Sequence, residues 1–151
     1  MTAPVQRTTV EGVLANHERR VGILEAVPSG KAKFEIKVVS DSLLVATGDN
    51  QFIFAIPSDL NGANLVDAQA FVTTVSSSGL PTVQIRNVTD AVDMLTTRIT
   101  IDVSEFTSYT AAAPRVIDAT NDDVVTGDLI AIDVDVAGTD AKGLGVILRF
   151  A

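Results

Sequence analysis

The chain has 151 residues, no cysteine, no tryptophan, one tyrosine and a formal net charge of −8 at pH 7. Without cysteine there can be no disulfide, thiolate metal site or cysteine nucleophile. The acidic balance argues against nucleic acid, because phosphate binding needs a basic stripe.

The imbalance is local. Residues 1–30 hold three acidic and three basic side chains, so residues 31–151 carry all the excess negative charge. No lysine or arginine lies between Lys37 and Arg86. The hydrophobic fraction is 46% and mean hydropathy is +0.32. Apolar residues beyond the needs of one core suggest buried subunit interfaces. No apolar run approaches the roughly 18 residues that span a bilayer. MTAPVQRTT lacks the charged-then-apolar pattern of a signal peptide. Synthesis in a cytoplasm without membrane insertion is expected.

The first predicted element is a helix within VEGVLANHERRVGILEAV, residues 10–27, stopped by Pro28 and Gly30. Thr8 or Thr9 can cap it, with Glu11 close behind. Val10, Leu14, His17, Val21 and Leu24 recur at spacings of 4, 3, 4 and 3, a heptad seam. Leu14 and Val21 take the a positions; Val10, His17 and Leu24 take d. Arg20 at g and Glu25 at the following e have the spacing of an interchain salt bridge. A helix of about two heptads with Gly12 and Gly22 inside is not stable alone. It is therefore expected to join copies of itself, the competing reading being a helix laid on its own chain's sheet. His17, the only histidine, reads as a polar layer fixing register rather than a metal ligand.

PSGKA at 28–32 reads as the linker between an N-terminal segment, 1–30, and a β domain, 31–151. The period then becomes two. Phe34, Ile36 and Val38 alternate with polar residues. Phe52, Phe54 and Ile56 follow, then Val66, Ala68, Ala70 and Val72, then Val83 and Ile85. Ile99, Ile101 and Val103 form the next set. Ile130, Ile132, Val134 and Val136 alternate with Ala131, Asp133 and Asp135, whose carboxylates are expected on a wet face. Leu144, Val146, Leu148 and Phe150 belong to a strand expected at a sheet centre, because Gly143 and Gly145 admit close neighbours. Turns are expected at GDN (48–50), PSDLNG (57–62), SSSGLP (76–81), TNDD (120–123), TGD (126–128) and AGTDAKG (137–143). Seven or eight strands without a crossover helix imply an antiparallel β-sandwich, jelly-roll-like, preceded by the short coiled-coil helix.

Catalytic signals are lacking. There is no GxSxG, P-loop, HExxH or EF-hand spacing, and the one histidine lies in the predicted helix. No catalytic residue, cofactor or metal site is assigned. Asp118, Asp122, Asp123 and Asp128 cluster around one loop and offer oxygens to a hard cation. The same residues serve as turn formers, and that is the expected role.

Three pieces, FIFAIPSDLNGANLVDAQAFVTT, SSSGLPTVQIRNVTDAVDMLTTRITID and VIDATNDDVVTGDLIAIDVDVAGTDAKGLGVILRF, cover about two-thirds of the chain. Together they resemble a β domain of tailed-bacteriophage virion structural proteins, found in tail fibres, minor tail proteins and head-attached proteins. The resemblance implies a virion location after synthesis in the host cytoplasm and a symmetric oligomer, a trimer being the expected form. The implied role is a tail-tip, fibre or minor tail protein, with a capsid decoration protein as the alternative. The implied partners are further copies of the chain, other virion proteins and, at a tail tip, a host-surface glycan. The resemblance transfers no catalytic residues.

Overall fold

The computed structural model describes residues 32–151, a mainly antiparallel β structure with open sheets. Ten strands occur among the described residues, several of only two or three residues. The first sheet contains β1 (Ala32–Lys37), β3 (Leu65–Phe71) and β10 (Gly145–Phe150), in the order β1-β10-β3. The second contains β2 (Gly48–Ala55), β4 (Thr82–Asn87), β5 (Val92–Asp93), β7 (Ile99–Thr100) and β9 (Leu129–Val136). Its order is β2-β9-β4-β5, with β7 also on β4. β6 (Leu95–Thr97) and β8 (Val116–Ile117) form a small separate pair. The only helical turns among the described residues are two 3-10 turns, Ser58–Leu60 and Ser108–Thr110, and none is long and apolar enough to cross a membrane.

Alternation builds the core. Val146, Leu148 and Phe150 of β10 join Ile36, Ala68 and Ala70 of the flanking strands. From the second sheet Val83, Ile85, Ile130, Ile132 and Val134 enter the same cluster. Phe34 on β1 meets Phe54 on β2 at 5.1 Å between ring centroids, and meets Phe150 edge-on at 5.8 Å. The β1 end of one sheet thus lies against the β2 end of the other.

The closing strand occupies the sheet centre, as Gly143 and Gly145 suggested. Gly145 pairs with Phe71, whose ring lies where a Cβ on residue 145 would be. Gly143 has φ +67° and abuts the Thr73 hydroxyl. Lys37 Nζ stands 5.0 Å from the Phe71 ring centroid. Ring, glycine and ammonium form one layer on the outer face.

Several expectations need correction. Phe52, Val103 and Val136, read with the buried faces, are exposed, and Val103 lies outside any strand. GDN at 48–50 is not a turn between strands but the bulged start of β2, with Asn50 at φ 55°. Bulges and tight turns share the left-handed conformation that Asn tolerates, so their sequence signals coincide. Val66 is exposed while Leu65 is buried, because the ladder shifts register between Arg149 and Phe150. Asp133 is buried rather than wet, for the reason given below.

Candidate functional site

The proposed oligomerisation seam, Val10, Leu14, His17, Val21 and Leu24, and the Arg20–Glu25 pair lie outside the described residues. The surfaces that can be built from the residues upward are the sheet edges and the polar clusters beside them.

β9 is central in its sheet and is buried on both faces over Ile130–Val134. Its outer face would expose Asp133, but Arg86 on the neighbouring β4 folds over it, with Nε 2.8 Å from Oδ2. The β2 bulge closes the other side. Asn50 N–H donates to Asp133 Oδ1 at 2.7 Å, and Asn50 Oδ1 accepts from Arg86 at 2.7 Å. Asp133 is left 4% exposed. The hydrogen bond to Asp133 is the largest cause raising the Arg86 pKa, so the guanidinium stays charged throughout the neutral range. This cluster pins three strands, β2, β9 and β4. A charge bound on both sides in this way serves architecture.

In the Asp-rich loop, the carboxylates of Asp118 and Asp128 are likewise bound within the chain. Asp128 Oδ2 accepts from Asn87 Nδ2 and from Val125 N–H, each at 3.0 Å. Asp118 accepts from Thr120 N–H and Asn121 Nδ2. Asn64 bridges to Asp123 through the backbone, and Leu65 N–H donates to the Asp122 carbonyl. The structure does not converge the four carboxylates, and no group of three metal-ligating side chains occurs among the described residues. An open depression of about 500 Å³ is lined by Ala32, Lys33, Val66, Arg149 and Ala151. It offers two cations but, among those residues, no nucleophile–base pair.

The edges differ from one another. β3 is covered on its outer side. Ser108 Oγ accepts from Ala70 N–H at 2.8 Å and donates to Gln69 Oε1 at 2.6 Å, while Arg115 pairs with Asp67. β4 is flanked by β5 and β7. β1 and β2 have no strand on their outer sides among the described residues. β1 turns Lys33, Glu35 and Lys37 outward, the charged pattern that blunts an edge. β2 carries QFIFA over residues 51–55, and residues 50–58 contain no charge. On it Phe52 is 37% and Ile53 45% exposed, and Leu129, diagonal to Ile53 across the ladder, is exposed too. Sequence reasoning placed these residues on a strand but missed that the strand is an edge. Alternation reports faces, not neighbours.

Compared with protein-family models and with curated proteins, the chain matches none.

Proposed function

We propose that the chain is a non-enzymatic, homo-oligomeric structural component of a tailed-phage virion, a tail-tip, fibre or minor tail protein. In this reading residues 31–151 form an antiparallel β-sandwich of jelly-roll type. Residues 1–30 supply a short coiled coil through Val10, Leu14, His17, Val21 and Leu24, joining three chains.

The observation that carries the reading is the outer edge of β2 over residues 50–55, which carries no charge, has no strand beside it among the described residues and leaves Phe52 and Ile53 exposed. The bulge protects only the Asn50 end, and an edge left without charge beyond it is suited to pairing with another chain. Large exposed aliphatic and aromatic side chains elsewhere, Leu43, Leu44 and Phe106 at 58% each, add surface suited to neighbours. The resemblance of residues 52–150 to phage structural domains supplies the setting.

The test is the abundance and position of the chain in purified phage particles, by quantitative gel and low-resolution cryo-imaging. A small number of copies at the tail end is the expected result. A shell of copies over the head would assign it to capsid decoration instead, a role suited to the acidic body and charge-neutral front segment. Absence from the particle would overturn both.

A further inference from the structure

We propose that the edge of β2, which no strand covers among the described residues, pairs with the β2 edge of a second copy of this chain, antiparallel and centred on Ile53.

The ladder fixes which groups are on offer. Ile56 N–H donates to the Asp128 carbonyl at 2.8 Å. Hydrogen-bonded and non-bonded positions alternate along an antiparallel pair. Phe54 and Phe52 therefore spend their backbone groups on β9, while Gln51, Ile53 and Ala55 turn N–H and C=O outward. These outward groups are a template for one more strand.

Charge selects the occupant. A second copy brings the same acidic body, so two copies approach with least repulsion where neither carries charge. Residues 50–58 are such a stretch, whereas β1 presents Lys33, Glu35 and Lys37. An edge chosen for a basic or acidic partner would carry the opposite sign along its length, whereas residues 50–58 carry none and the one charge on β2, Asp49, lies within the bulge.

The register is self-complementary. With the two-fold axis at Ile53, Ile53 faces Ile53, and Gln51 of one copy faces Ala55 of the other. Phe52 of one copy faces Phe54 of the other, extending the Phe34–Phe54 contact across the interface. No like charges oppose one another. The Asn50 bulge ends the pairing on one side and Pro57, which lacks an N–H, on the other. The association is isologous and closes on itself. It uses none of residues 1–31 and does not depend on the virion role. If three chains also join at the helical seam, β2 pairing links one trimer to another.

Amide hydrogen exchange on the full, unmodified chain tests the contact. The Ile53 and Ala55 amides should exchange roughly tenfold more slowly over about a hundredfold rise in protein concentration, with Phe52 and Phe54 protected at every concentration. Protection of Ile53 and Ala55 that does not change on dilution would overturn the proposal, because a segment of the same chain would then hold the edge. Exchange that is fast at all concentrations would overturn it as well. Ile53→Cys tests the register in a chain with no other cysteine. Residues facing each other in a hydrogen-bonded pair have Cα atoms about 5.5 Å apart, within disulfide reach. I53C should oxidise to covalent dimers while the control E35C on β1 stays single. Single chains in both variants, with concentration-dependent protection intact, would overturn the register centred on Ile53.

Discussion

Arg86 Nε lies 2.8 Å from Asp133 Oδ2, and the pair joins adjacent strands on the outer face of a sheet, where Asn50 completes its hydrogen bonds. The pair is nearly shut off from water on the Asp133 side, so removing one member leaves the other charged and poorly solvated. Arg86→Met is expected to lower unfolding stability by about 2–3 kcal/mol, and Asp133→Ala by a similar amount. Denaturant unfolding checks both. The double variant should cost less than the sum, since the second change removes the stranded charge. Arg86 has its pKa raised on folding, so its contribution is complete below its unfolded value and is lost only as pH rises through the folded one. Both lie far above neutrality, and the Arg86→Met deficit attributable to Arg86 titration should therefore be constant from pH 6 to pH 9.

Gly145 and Phe71 form the second dependency. A methyl at residue 145 would occupy the space of the Phe71 ring. Gly145→Ala is expected to cost about 1–3 kcal/mol. Phe71→Ala in the same chain should relieve part of that cost, giving a coupling energy between the two positions in thermal or denaturant unfolding.

Ser108 closes the outer edge of β3 by accepting from Ala70 N–H and donating to Gln69. Ser108→Ala leaves a buried backbone N–H without a partner, and a loss of about 1–3 kcal/mol is expected. The Ala70 amide should also become one of the faster-exchanging positions in β3, which hydrogen exchange reads directly.

Asp128 tests the role of the acidic loop. Its carboxylate binds Asn87 Nδ2 and Val125 N–H, both within the protein. Asp128→Ala should destabilise by about 2 kcal/mol. The loss should be the same with millimolar calcium as with chelator. A calcium-dependent melting temperature in the unmodified chain that Asp128→Ala abolishes would instead make the loop a cation site.

Much of the β framework was legible because burial and alternation coincide. Val146, Leu148 and Phe150 face one core from a central strand, and Gly145 marked the close approach that places it there. Most of the misreadings have a non-local cause, GDN being the local exception. Asp133 looked wet because the arginine covering it is 47 residues away in sequence. GDN looked like a turn because Asn50 has turn-like backbone inside a strand. Val66 looked buried because a register shift cannot be seen in one strand alone. The β2 edge was invisible for the same reason, since its exposure depends on which strands pair with it. The heptad pattern from Val10 to Leu24 lies outside the described residues, and its oligomerising role stands as a proposal.

The most direct measurement is the solution mass of the full chain across a range of concentrations, by light scattering or sedimentation. A mass of several times 15.8 kDa is expected, three-fold for the helical seam alone and doubling again where β2 edges pair. A mass of 15.8 kDa that persists at every concentration would contradict the account, because neither the seam nor the β2 edge would then be joining chains.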